Sequence, residues 1–102
     1  MAQQLDIEVL TEGETCVVAV GGEVDMATAP QLDAALATVD GNIVVDLEAV
    51  TFLDSSGIGV LVKAAQRSQA AGHTLRTRSE RDNVWRTLQV TNLADLLHPD
   101  RT

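Results

Sequence analysis

The sequence predicts a small α/β domain built on a mixed β-sheet, and three observations carry that prediction. A chain of 102 residues with 45% hydrophobic content suffices for one domain, spanning 1–102, with one modest core. Aromatic residues make up only 2%, Phe52 and Trp85, so that core must be built from Val, Leu, Ile and Ala. Aliphatic stretches with strand character alternate with stretches of helical periodicity, in the order ββαβαβα with one further helical turn near the end.

Each element has its own signal. Leu5, Ile7 and Val9 alternate with Asp6 and Glu8, the pattern of a half-exposed strand. Glu12-Gly13-Glu14 is a turn and Thr15 to Val20 a second, apolar strand, so the two form a hairpin. Gly21-Gly22-Glu23-Val24-Asp25 then leads into a helix. Thr28-Ala-Pro-Gln31 matches a T-x-x-Q capping box with proline in the first turn. Leu32, Ala35, Leu36 and Val39 make one apolar stripe, and Asp40-Gly41 ends the helix. Asn42 to Leu53 is a buried strand around Ile43-Val44-Val45 and Leu47. A second helix over 57–71 carries Ile58, Leu61, Val62 and Ala65 inward, and Gly72 stops it. Leu75 to Thr77 is a short edge strand with Arg76 and Arg78 facing out, reached by a right-handed crossover. Ser79 caps a third helix with Val84, Trp85 and Leu88, and Leu93 to Leu97 is a last apolar turn.

Composition and charge exclude several functions. The net charge is −8, and residues 1–62 hold acids but no Lys or Arg; all seven basic residues follow, from Lys63 to Arg101. Such a surface repels nucleic acid and attracts a basic protein partner, although acidity also serves plain solubility. No apolar run reaches the roughly 20 residues of a membrane span. The N-terminus lacks the basic and apolar segments of a signal peptide, and a single cysteine, which allows no internal disulfide, fits a reducing cytoplasm. The single Cys16, inside Cys16-Val-Val-Ala-Val20, reads as an inert buried thiol. One cysteine and two separated histidines, His73 and His98, offer no metal-ligand spacing, and no P-loop motif occurs. No cofactor is expected.

The stretch Asp54-Ser55-Ser56-Gly57 suits neither a strand interior nor a helix interior. It lies where a buried strand turns into a helix, the end of the strands where α/β folds place their sites. A helix N-terminus has unpaired N–H groups and partial positive charge, so this junction could hold a nucleophile, a bound phosphate or a phosphorylatable serine. The plainer alternative is that Ser55 or Ser56 is an N-cap, with Ser56 the better placed. Catalysis fits poorly: Ser55 stands in no G-x-S-x-G elbow, and the two histidines fall in a turn and in the tail. Asp25 lies in a polar stretch outside any apolar stripe, so its removal is expected to cost little stability.

Val50-Thr-Phe-Leu-Asp-Ser-Ser-Gly-Ile-Gly-Val60 resembles the signature of the STAS domain family, as found in bacterial anti-sigma factor antagonists. Gly22-Glu23-Val24-Asp25 is similar to the family's second motif. Leu88 to Leu93 is similar to its C-terminal stretch, with Asn92 where glycine is usual. The resemblance implies a mixed sheet with helices mainly on one face, and a regulatory module rather than an enzyme. It implies phosphorylation of Ser55, with Asp25, Asp54, Ser56 and Gly57 shaping a partner-binding site. The implied partners are an anti-sigma factor that is also an ATP-dependent serine kinase, and a serine phosphatase; the module itself is expected to be a monomer or weak homodimer. Two other readings stand beside this one: a STAS subunit of a phospholipid or anion transporter that is never phosphorylated, and a small-molecule-binding module at the same helix N-terminus.

Overall fold

The computed structural model describes residues 5–79. Over these the chain forms β1 (Asp6–Glu12), β2 (Thr15–Val24), α1 (Ala29–Ala37), β3 (Asn42–Leu53), α2 (Ser55–Ala70) and β4 (Leu75–Arg78). The third helix expected after Ser79 and the turn expected at Leu93 to Leu97 lie outside the described residues.

The strands form one sheet in the order β1-β2-β3-β4. β1 pairs antiparallel with β2 through the tight turn at Gly13. β2, β3 and β4 run parallel, and each parallel step requires a crossover, which α1 and α2 supply. Among the described strands β4 is an edge, as its arginines suggest: Arg78 Nη2 lies 3.1 Å from Asp46 Oδ2 on the neighbouring strand.

Paired residues share a face of the sheet, so register shows where the core lies. Val20, Val18, Val45, Leu47, Val50 and Leu75 are all buried on one face. Leu32 and Leu36 of α1 and Ile58, Leu61, Ala64 and Ala65 of α2 complete that cluster. Each fully buried aliphatic side chain contributes about 1.5–3 kcal/mol, so with hardly any aromatics the number of such chains decides stability. The alanines let α2 lie close, and Lys63 reaches across the rim to Asp33 Oδ2 at 3.3 Å.

Several boundaries differ from expectation, each for a local reason. β2 continues through Gly21-Gly22 to Val24, because backbone pairing with Ala49, Val50, Phe52 and Leu53 extends it where side chains give no strand signal. β3 carries two bulges. Register slips between Ala19 and Gly21, and again between Gly22 and Glu23, each adding one residue to β3. Its buried positions therefore step from 43, 45 and 47 to 50 and 53.

The capping box at Thr28 does not form: the helix starts there without a side-chain cap bond. The Thr28 hydroxyl donates instead to Glu23 O at 2.7 Å, and Gln31 Oε1 accepts from the Leu5 N–H at 3.1 Å. Tertiary partners have taken both groups. α1 also stops earlier than expected, at Ala37, where the Thr38 hydroxyl donates to Ala35 O. α2 ends at the glycine stop: Gly72, at φ 82°, donates to Gln69 O and His73 donates to Ser68 O, a Schellman motif. Cys16 is half-buried rather than enclosed, since it lies near the open start of β2.

Candidate functional site

Val24 and Leu53 are the last paired residues of β2 and β3, and the Asp54 N–H closes the ladder on Val24 O at 3.1 Å. One residue further each chain reaches an aspartate. The two strand-to-helix turns thus lie side by side at the carboxyl edge of the sheet.

Asp54 is the N-cap of α2. Its backbone is extended (φ −104°, ψ −173°), and its Oδ1 accepts from the Ser56 N–H at 2.8 Å and the Gly57 N–H at 3.3 Å. Ile58 N–H then donates to Asp54 O at 3.0 Å, the first full helical bond. The expectation that Ser56 caps the helix is therefore corrected. A short carboxylate on an extended residue meets the requirement better than a hydroxyl already inside the first turn. The helix also begins at Ser55 instead of 57.

This places the four residues in distinct settings. Ser55 is the first helical residue and is exposed; Ser56 is half-buried; Gly57 is buried. A Cβ on Gly57 would lie 2.5 Å from Leu53 Cδ1 and 2.6 Å from Val24 Cγ1, so the glycine is what lets α2 seat on the strand ends. Gly59, one turn along from Ser55, has nothing within 4 Å of a Cβ position.

Asp25 organises the other turn. Its Oδ1 accepts from the Ala27 N–H at 2.9 Å and the Thr28 N–H at 3.1 Å, while the Thr28 hydroxyl accepts the Asp25 N–H at 3.0 Å. Asp25 therefore holds its own turn, and the expectation of negligible structural cost gives way.

The structure thus brings Asp25, Asp54, Ser55, Ser56 and Gly57 into one place. The chemistry available there is limited. Ser55 presents a hydroxyl to solvent at the positive end of a 16-residue helix. His73 follows the far end of that helix, on the order of 24 Å away, too far to serve it as a base. Among the described residues no group of three or more His, Cys, Asp or Glu is placed to hold a metal ion. Sequence reasoning missed Met26 and Phe52, which stand exposed next to these turns, because periodicity does not tell an exposed apolar residue from a core one.

Comparison with known proteins gives this geometry a lineage. The family model described as "Mlab, STAS domain" matches residues 7–98. An anti-sigma-B factor antagonist of Staphylococcus aureus is 35% identical over 98 residues, covering 92% of this chain and 91% of that protein. A crystal structure of an anti-sigma factor antagonist from Mycobacterium paratuberculosis superposes with a TM-score of 0.87 at 27% identity, covering 96% of this chain and 86% of that one. The Bacillus cell fate determinant SpoIIAA in its phosphorylated form shares the fold, with a TM-score of 0.70 at 22% identity over 96% of this chain and 90% of its own. Among the described residues no helix is long and apolar enough to cross a membrane. The chain belongs to the STAS domain family, among the anti-sigma factor antagonists.

Proposed function

We propose that this protein binds a kinase-type anti-sigma factor while Ser55 is unphosphorylated, so freeing a sigma factor, and is switched off when that partner phosphorylates Ser55. A serine phosphatase would restore the binding form. One observation carries this reading: Ser55 is exposed at the start of α2 while Asp54 does the capping, so its hydroxyl has no structural duty.

Phosphate at that position adds roughly −1.5 to −2 charges at pH 7. The Ser56 and Gly57 N–H groups are already held by Asp54, so the phosphate gains little from the helix end beyond its dipole. Asp54 beside it opposes what is gained. The fold therefore tolerates the modification and is not driven by it; the charge acts at the interface. Asp25 and Asp54 shape the two turns, Ser56 lies beside Ser55, and Gly57 acts from beneath by seating the helix.

Ser55→Ala and Ser55→Asp test this. After incubation with the kinase partner and ATP, mass spectrometry should place one phosphate on Ser55 of the unaltered protein and none on Ser55→Ala. Ser55→Ala should bind the partner as tightly as the unaltered protein, and Ser55→Asp about 2–5 kcal/mol more weakly, as expected for an unmatched charge in a buried interface. Equal affinities for the two variants, or a phosphate that survives in Ser55→Ala and vanishes in Ser56→Ala, would overturn the reading.

A further inference from the structure

Among the described residues four large hydrophobic side chains are exposed: Val9, Leu10, Met26 and Phe52. Val9 and Leu10 belong to the edge strand β1. The other two bracket the Ser55 turn. Phe52, 48% exposed, lies three residues before Ser55 and pairs with Glu23 across the sheet. Met26, 78% exposed, lies two residues beyond Val24, the partner of Leu53.

Chain geometry bounds their separation. Three residues span at most about 11 Å and two at most about 7 Å, and paired strands lie about 5 Å apart. The backbones of both residues therefore lie within roughly 20 Å of Ser55. A standard interface covers about 800 Å² per partner, large enough to take in both residues together with Ser55.

Among the described residues the core cluster includes neither side chain. The β2–α1 turn is held by Asp25 and Thr28, and the core face of β3 is filled by Val50 and Leu53, not Phe52. Methionine and aromatic residues are the types enriched at the buried centres of protein interfaces. Around them stand Glu23, Asp25 and Asp54, with no Lys or Arg anywhere in residues 1–62.

Resting on the reading of Ser55 as the switch, we propose that Met26 and Phe52 are the apolar anchors by which the unphosphorylated protein holds its kinase-type anti-sigma factor. Ser55 then supplies the switch and little of the affinity. The charge pattern specifies the partner's face: an apolar cleft rimmed by Lys and Arg. A phosphate on Ser55 adds charge beside those anchors, where they would otherwise exclude water, so modification weakens a contact that Ser55 itself does not make.

The test titrates the protein with the kinase-type anti-sigma factor of the same genome, loaded with a non-hydrolysable ATP analogue so that no phosphate is transferred. Met26→Ser and Phe52→Ser should each raise Kd at least tenfold with circular dichroism unchanged, and Met26→Ser, at a 78% exposed turn residue, with Tm unchanged as well. Met26→Leu, which keeps an apolar side chain, should stay within threefold of the unaltered protein. If the unaltered protein binds and both serine variants bind equally well, the anchors are wrong and the switch reading survives. The same holds if Met26→Leu loses as much as Met26→Ser. If the unaltered protein fails to bind at all, both readings fall.

Discussion

The two turns at the carboxyl edge of the sheet begin alike and end differently. In each, an aspartate directly succeeds the last paired strand residue, and its Oδ1 accepts N–H groups two and three residues on: Ala27 and Thr28 from Asp25, Ser56 and Gly57 from Asp54. The third residue sets where each helix begins. Thr28 has a side chain, is fully buried, and gives its hydroxyl to Glu23 O, so α1 starts only at Ala29. Gly57 has none, lies directly on Val24 and Leu53, and lets α2 start one residue after the aspartate. One turn consequently projects a loop bearing Met26, and the other presents Ser55 in the first turn of a helix that Asp54 caps. The same hydrogen-bonding device leaves an exposed methionine in one place and an exposed serine in the other.

The strongest way to break that comparison is Gly57→Ala. The new methyl must displace Val24, which is fully buried and stiff at χ1, as well as Leu53. Overpacking of this kind costs about 1–3 kcal/mol, against which alanine's better helix propensity returns something under about 1 kcal/mol. Urea unfolding should show a lowered midpoint with an unchanged slope. An increase in stability would mean that the strand ends yield easily, and that Gly57 does not set where α2 begins.

The two aspartates sharpen the comparison next. Asp54→Ala removes an N-cap, a loss of about 0.5–2 kcal/mol. Asp25→Ala removes two hydrogen bonds of the same kind from a turn and should cost a similar amount, about 1 kcal/mol. Thermal unfolding of the two variants side by side checks this. Asp25→Ala at parity with the unaltered protein would show that the resemblance between the turns is geometric only.

How much of this the sequence disclosed depends on which atoms make the structure. The hairpin, the stripe of α2, the stop at Gly72 and the edge strand with Arg76 and Arg78 were legible, because side-chain periodicity and a single glycine specify them. The end of β2 was not, since Gly21-Gly22 pair through backbone alone. Nor were the bulges of β3, whose three-residue steps from Leu47 to Val50 to Leu53 read in sequence as part of one uninterrupted buried strand. The T-x-x-Q motif was present but misled, because Leu5 and Glu23 lie outside it and compete for Gln31 and Thr28. The Asp54–Gly57 junction stood out because polar groups at the end of an apolar strand are conspicuous, while the roles given to Ser55 and Asp25 came from the family resemblance. The division of labour within the junction, with Asp54 capping and Ser55 idle, needed the backbone angles.

The smallest expected effect is the most discriminating, because stability and binding should part. Gly59 and Ser55 are four residues apart on α2 and so lie on one face. Both are exposed, and a Cβ at Gly59 would meet nothing within 4 Å. A glycine in a helix interior costs about 0.5–1 kcal/mol relative to alanine. Gly59→Ala should therefore raise Tm by a few degrees, on a scale of roughly 4–8 °C per kcal/mol for a domain of this size. If the face bearing Ser55 is where the anti-sigma factor docks, bare backbone at Gly59 allows close approach, and the added methyl should weaken binding severalfold. Gly57→Ala acts oppositely on the fold, since there the methyl has no room. Calorimetric titration of Gly59→Ala, with its melting curve measured on the same sample, separates the cases. A gain in stability with undiminished affinity would place Gly59 outside the interface and confine the contact to the strand-end side of Ser55, where Met26 and Phe52 stand.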